Sequence, residues 1–332
     1  MPINRQILLK SRPEGLPTVA NFELAERPAP EPAEGEVLTR TLFLSLDPYM
    51  RGRMSAARSY AKPVDVGAVM VGATVGEVVA SRDPAFQPGD IVLGYGGWQD
   101  YAALPAKSLR KLDPSVAPVS TALGVLGMPG LTAYVGLLDI GQPKAGETVV
   151  VSAASGAVGS LVGQLAKRRG CRAVGIAGGG EKCRFVVEEL GFDACVDHRA
   201  PDFPEGLKAA CDAGVDVDFE NVGGAVLEAV WHRLNDFARV VVCGLVSQYN
   251  DVMPRPGPNL GVLLARRITM RGFIVADHWS RMAEFLSEVG PLVRAGEIRY
   301  KEDVVEGLEH APEGLIGLLQ GRNFGKVVVR VA

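Results

Sequence analysis

The stretch Thr148-Val149-Val150-Val151-Ser152-Ala153-Ala154-Ser155-Gly156-Ala157-Val158-Gly159-Ser160 decides the fold. Thr148 to Ala153 is a continuous apolar run, of the kind buried on both faces of a parallel sheet. Beyond the turn, Val158, Leu161, Val162, Leu165 and Ala166 fall at i, i+3, i+4, i+7 and i+8, which is one face of a helix. Aligned to G-x-G-x-x-G, the turn reads A-x-G-x-x-G, with Ala154 in the first glycine's place. Gly156 lets backbone approach a pyrophosphate, Gly159 lets the helix pack close to the strand, and the N–H groups of the first helical turn face the phosphates. In a strand–turn–helix context this points to a bound dinucleotide; the alternative is a tight turn without a ligand.

Working outward, strand and helix signals alternate. Ala173 to Ala177 reads as a second strand, and Phe185, Val186 and Leu190 mark a helix stopped at Gly191. Val215, Val217 and Phe219 alternate as a strand. Val226, Leu227, Val230 and Leu234 give another helix, Arg239 to Cys243 another strand, and 280–296 a further helix. Repeated βα units predict an α/β fold with a Rossmann doubly wound parallel sheet. Before residue 123 the texture differs: Leu38, Leu42, Leu44 and Leu46 lie close to a period of two, Val71 to Ala80 is rich in Val, and Pro88-Gly89-Asp90 turns into Ile91-Val92-Leu93. That part reads as a mostly β domain. The strand-like Lys326 to Val331 has no place in a completed Rossmann sheet and is expected to return to it. The expected division is 1–122 with 300–332, and 123–299.

The chain has 332 residues and a formal net charge of −3, so neither nucleic acid nor an anionic membrane is expected as partner. No apolar run is long enough for a signal peptide or a membrane span. Five cysteines, at 171, 183, 195, 211 and 243, do not form a disulfide framework; they read as small core residues in a reducing cytoplasm. Glycine numbers forty, and fourteen of these fall in residues 124–180, about twice an even share.

An NAD site places an acid about 20 residues beyond the motif, at the end of the second strand. Here that stretch is Ile176-Ala177-Gly178-Gly179-Gly180, with no acid, followed by Glu181-Lys182. A lysine in the first turn of a helix opposes the dipole, and a bound 2′-phosphate reverses the sign. Lys182 is therefore the candidate that selects NADP over NAD, with a plain surface lysine as the alternative. No metal is expected: residues 1–150 hold neither Cys nor His, and the four histidines, at 198, 232, 278 and 310, are too scattered for a ligand pair.

Six segments, in order along nearly the whole chain, carry a resemblance. They are Ser45 to Arg51, Gly127 to Tyr134, Ala153 to Gly159, Phe219 to Gly224, Cys243 to Asn250, and Asn323 to Lys326. Together they resemble the zinc-free branch of the medium-chain dehydrogenase/reductase superfamily, that of prostaglandin reductases, alkenal double-bond reductases and curcumin-reductase-like enzymes. The resemblance implies a GroES-like β-rich domain and reduction of an enone or enal by NADPH. It assigns the pyrophosphate loop to Gly156, Ala157, Val158, Gly159 and Ser160, and the 2′-phosphate to Lys182. His198 stands where the family often has a tyrosine in a second 2′-phosphate contact. NADPH affinity is therefore expected to weaken as pH rises through its pKa.

The resemblance also implies that Asn221 and the run Cys243, Gly244, Leu245 to Tyr249 line the cofactor. Phe273, Ile274 and Val275 would lie beside the nicotinamide, and Asn323 would make a late contact. Tyr249 is similar to the tyrosine that approaches substrate, where a phenol can donate to a developing oxyanion; plain packing is the alternative. Asp47, Tyr49 and Arg51 are expected at the edge of a substrate cleft, or else as a salt-bridged turn. The resemblance further implies a homodimer through the Rossmann sheet edge. A quinone reductase on the same scaffold and a non-catalytic NADPH-binding protein are the alternative functions.

Overall fold

In the computed structural model, which describes residues 2–253 and 255–332, the quoted stretch folds as strand, turn and helix. The chain divides into two compact units, one of Met1–Gly124 with Glu302–Ala332, the other of Val125–Lys301.

The second unit is built on six parallel strands. They are β1 (Thr148–Ser152), β2 (Arg172–Ala177), β3 (Ala194–Asp197), β4 (Val215–Glu220), β5 (Leu234–Val242) and β6 (Thr269–Gly272). Their order in the sheet is 3-2-1-4-5-6, with every pairing parallel. This is a doubly wound Rossmann sheet whose direction of winding reverses between β1 and β4. Helices α1 (Gly159–Arg168), α2 (Gly180–Glu188), α3 (Phe203–Ala210) and α4 (Gly224–Trp231) connect the first five strands.

The sequence dictates these elements through burial. Val149, Val150 and Val151 are fully buried, each contributing roughly 1.5–3 kcal/mol. Helix α1 turns Leu161, Val162, Leu165 and Ala166 inward, as its periodicity predicts. Gly163 in that helix admits the Phe192 ring, which lies 1.8 Å from where a Cβ would stand. Two expectations need correction. Leu234 opens β5 instead of closing α4, because α4 stops at Trp231. Cys243 lies just past the end of β5, outside the strand.

The first unit is β-rich. A seven-stranded sheet contains Glu36–Ser45, Thr74–Ser81, Ile91–Gly94, Tyr101–Pro105 and Arg110–Lys111 from the N-terminal part. Glu302–Glu306 and Lys326–Arg330 complete it, so the last strand of the chain pairs antiparallel with Glu36–Ser45. Ile3–Leu9 and Phe22–Pro28 form a separate hairpin-like pair. The core centres on Trp98, stacked on Phe22 at 5.6 Å, with Met50, Leu44, Leu46 and Val327 around it.

Candidate functional site

In an open parallel sheet, ligands gather beyond the carboxyl ends of the strands, at the winding reversal. Ala153, Gly178, Asn221, Cys243 and Phe273 each immediately follow the end of β1, β2, β4, β5 and β6 respectively. The topology therefore brings to one edge the segments that the sequence singled out in this unit.

The turn after β1 is closed by backbone. Ala153 adopts a φ of 52°, and Gly156 N donates to its carbonyl at 2.9 Å. A Cβ on Gly159 would stand 2.5 Å from Ala153 O and 3.0 Å from Ala154 Cα, so only glycine lets the helix sit this close. The amides of Ala157 and Val158 have no backbone acceptor among the described residues. Amides left open at the start of a helix are able to donate to an anion. Ser160 is buried one residue into α1.

The second end of the site forms around Gly178-Gly179. Gly179 has a φ of 101°, a region favouring glycine, and caps α2. Its N–H donates to Asp197 Oδ1 at 2.8 Å, and the same oxygen accepts from Arg199 N at 2.9 Å. Burial opposes ionisation of Asp197, but these two bonds prevail and hold its carboxyl below the usual range. Three basic side chains surround the loop. Lys182 lies in the first turn of α2, and Arg199 Nε and His198 Nε2 both come within 2.9 Å of the space a Gly178 side chain would take. Burial, then Arg199, and more weakly Lys182, push the His198 pKa below its ordinary value. Arg199 was missed in the sequence, because nothing in its local pattern ties it to a loop twenty residues earlier.

The third part hangs on a buried acid. Glu220, the last residue of β4, is fully buried, and its Oε1 accepts from Ser152 Oγ (2.7 Å), Val222 N (2.5 Å) and Gly223 N (2.9 Å). Ser152 Oγ in turn accepts from Asn221 N at 2.7 Å, and Asn221 Nδ2 donates to Ser152 O at 2.7 Å. The loop after β5 is stitched to this one: Cys243 N and Gly244 N donate to Glu220 O, Val246 N to Asn221 O, and Ser247 N to Val222 O. Gly244 lies under Tyr249, whose Oη is 3.1 Å from the place of a Gly244 Cβ. Leu245 stands over Gly223 in the same way. Burial, with the neighbouring Glu220, pushes the Cys243 thiol up to about 12, so it is no nucleophile at neutral pH. Beyond β6, the Phe273 ring packs with that of Phe219 over the bare backbone of Gly136, and Ile274 and Val275 follow half-buried.

Two buried carboxyls in β4 also escaped the sequence reading. Val-Asp-Val-Asp-Phe-Glu alternates like a half-exposed strand, yet Asp218 and Glu220 are fully buried. Neither Asp218 oxygen has a hydrogen-bond partner among the described residues. Burial and the nearby Glu220 push the Asp218 pKa up, which favours its protonated form. Burial raises Glu220 too, against the pull of its hydrogen bonds.

The remaining predicted residues belong to the first unit. Asp47 is buried, accepting from Ser45 Oγ at 2.5 Å and from Lys326 Nζ at 3.0 Å. Lys326 Nζ also donates to Leu46 O at 2.6 Å, and burial lowers its pKa against the pull of Asp47. Arg51 is buried too, its guanidinium donating to Gly15 O at 2.8 and 3.2 Å. Tyr49 opens the short helix Tyr49–Arg53 half-buried, with Arg53 5.4 Å above its ring. Burial and the Asp47 charge push its phenol far up. Asn323 Nδ2 donates to Gly325 O at 2.8 Å, ahead of the last strand.

Strand order, phosphate turn and basic loop together define a dinucleotide-dependent oxidoreductase. A family model described as "N-terminal domain of oxidoreductase" matches residues 5–112, and one described as "Zinc-binding dehydrogenase" matches 157–289. The chain is 55% identical over 335 residues to the NADPH-dependent curcumin reductase of Escherichia coli (strain K12), covering 99% of this chain and 97% of the other. It is 42% identical over 336 residues to the 2-alkenal reductase (NADP(+)-dependent) of Nicotiana tabacum, covering 99% and 98%. The crystal structure of CurA in complex with NADPH from Vibrio vulnificus superposes with a TM-score of 0.94 at 53% identity, covering 99% of each chain. The chain belongs to the medium-chain dehydrogenase/reductase family, in its zinc-free branch of curcumin, alkenal and prostaglandin reductases. The zinc of the second description finds no donors here: among the described residues no three His, Cys, Asp or Glu side chains gather into a group that could hold a metal ion.

Proposed function

We propose that the protein is an NADPH-dependent, zinc-independent reductase of the carbon–carbon double bond of α,β-unsaturated ketones or aldehydes. The observation that carries this is the single sheet edge with a three-base loop at one end and the Tyr249 hydroxyl over Gly244 at the other. The residues fit the cofactor. Ala157, Val158 and Ser160 would hold its pyrophosphate, Lys182, His198 and Arg199 its 2′-phosphate, and Asn221, Cys243 to Leu245 and Phe273 to Val275 the nicotinamide half. When bound, NADPH supplies a hydride for the β-carbon.

The chain's own contribution is electrostatic. Negative charge collects on the substrate oxygen as an enolate, and without a metal that oxygen needs hydrogen-bond donors. Tyr249 Oη is the donor we assign. Glu220, through three hydrogen bonds, fixes the loop on which Tyr249 depends. Removing one oxyanion donor costs roughly 10²–10³ in turnover. Tyr249→Phe should therefore lower kcat strongly while leaving the NADPH Kd within about twofold. Equal loss of both would assign Tyr249 to packing.

For the first unit, the geometry favours a positioning role for Asp47 and Arg51, whose polar atoms are turned to protein groups. Breaking a buried pair such as Asp47–Lys326 costs about 3–5 kcal/mol. Tyr49 is left as the residue we assign to substrate contact, and Asn323 to a cofactor contact. The edge strand β6, exposed at each of its residues, supports a homodimer formed by edge pairing, which light scattering on the eluting protein tests. No helix of the described residues is long and apolar enough to cross a membrane, and all five cysteines are unbridged, in keeping with a cytoplasmic enzyme.

A further inference from the structure

Helix α2 and strand β3 carry a second pair of chemically active side chains that the reductase reading does not use. Cys183 follows Lys182 directly in α2, and Cys195 lies in β3, three residues before His198. The helix packs on that strand, and Val186, one turn beyond Cys183 on the same helix, and the Cys195 sulfur lie 2.8 and 3.2 Å from where a Cβ on Gly175 in β2 would stand, so Cys195 faces the side of the helix that carries Cys183. Both cysteines are partly exposed, and β3 is an edge strand of the sheet. Cys171 and Cys211 are buried, and Cys243 is held protonated by its surroundings. Cys183 is the less buried of the two and so the one a peroxide reaches, which makes it the attacking thiol and Cys195 the resolving one; contact with Cys195 also lowers the Cys183 pKa against burial.

We propose that Cys183 and Cys195 form a reversible disulfide on exposure to a hydroperoxide, and that this bond disables the 2′-phosphate end of the cofactor site. The Cys183 thiolate attacks the terminal peroxide oxygen, the O–O bond breaks, and the alcohol, or water from hydrogen peroxide, leaves with a proton. Cys183 is then a sulfenic acid. The Cys195 sulfur attacks it, the S–S bond forms, the S–OH bond breaks, and hydroxide leaves with the Cys195 proton as water. Two thiols and one hydroperoxide become one disulfide, one alcohol and one water.

The consequence for binding rests on the NADPH reading above; the covalent step does not. Cys183 N donates to Gly179 O at 3.2 Å, while Gly179 N and Arg199 N share Asp197 Oδ1. The first turn of α2 and the end of β3 are therefore one hydrogen-bonded assembly carrying Lys182, His198 and Arg199. Closing the sulfurs to about 2 Å draws α2 toward β3 and shifts Lys182 with it.

The test treats the reduced protein with a few equivalents of hydrogen peroxide, then alkylates it in denaturant and maps the peptides by mass spectrometry. The expected result is a Cys183–Cys195 linkage, with three of the five cysteines still alkylatable. The NADPH Kd should rise about tenfold, the loss of one charge-assisted phosphate bond, while the NADH Kd stays put. Dithiothreitol should restore the five free thiols and the original NADPH Kd. Cys183→Ser and Cys195→Ser should each bind NADPH as the reduced protein does and lose the peroxide response. Thiols that stay free, oxidation of either without linkage, or linkage of another pair overturns the covalent step. A mapped linkage with an unchanged NADPH Kd overturns the switch. A reduced protein that binds neither dinucleotide would defeat the proposed function and the switch with it, and the peptide map would still decide the covalent step.

Discussion

Gly159→Ala tests the phosphate turn where its geometry is tightest. The added methyl would stand 2.5 Å from Ala153 O, 3.0 Å from Ala153 C and 3.0 Å from Ala154 Cα. All three are backbone atoms of the turn, so no side chain can swing aside, and helix and turn must part. Overpacking of this kind costs about 1–3 kcal/mol. Against the middle of that range, about 2 kcal/mol, alanine returns up to about 1 kcal/mol as a better helix former, which leaves a net loss of about 1–2 kcal/mol. Gly317 supplies the control. It lies within the helix Ala311–Leu319, and a Cβ there meets only the flexible end of the Arg322 side chain, at an ordinary contact distance of 3.6 Å. Gly317→Ala should therefore gain about 0.5–1 kcal/mol. The assay is thermal unfolding of both variants, with NADPH Kd from fluorescence titration. Gly159→Ala should lower Tm by about 2–6 °C and weaken NADPH about tenfold, as the Ala157 and Val158 amides lose their aim. A Gly159→Ala protein with a raised Tm and unchanged Kd would refute the reading of this turn as a pyrophosphate cradle.

Other consequences follow from the same groups. Lys182→Ala and Arg199→Ala should each weaken NADPH about tenfold and leave NADH nearly unaffected, measured as two Kd values per variant. His198 is held below its ordinary pKa in the free protein, and a bound phosphate dianion would raise it. NADPH should therefore bind more tightly at the acid end of about pH 5–8 and weaken through the His198 value of the complex, with NADH flat; equal pH profiles for the two would refute this. Asp218 is raised in the folded state, so the fold binds a proton there that the unfolded chain releases. Its contribution is complete below the ordinary carboxyl pKa and is lost as pH rises toward the folded value. Asp218→Asn should flatten that loss in Tm recorded against pH.

The parts of this site that were legible in the sequence are those with local periodicity. A buried parallel strand, a glycine turn and an amphipathic helix write their pattern within twenty residues, which is why Thr148 to Ala166 could be read directly. Leu234 misled because the next turn of a helix and the first residue of a following strand are both apolar. Asp218 and Glu220 misled for a deeper reason. Alternation implies one wet face, but a strand between two neighbours and under helices has none, and burial on that face is a tertiary fact. Arg199 and the Cys183–Cys195 contact arise where β3 returns beside β2, so no spacing along the chain announces them. Asp47 was recognisable as part of a segment, but its partner Lys326 is 279 residues away.

The central claim is tested most directly by NADPH consumption against a matched panel of enals, enones and quinones, with the reduced carbon skeleton identified in the product. Loss of NADPH absorbance is expected with enals or enones, with a product saturated at the former double bond and NADH far slower. Turnover of quinones alone, or tight NADPH binding with no turnover on the whole panel, would contradict it.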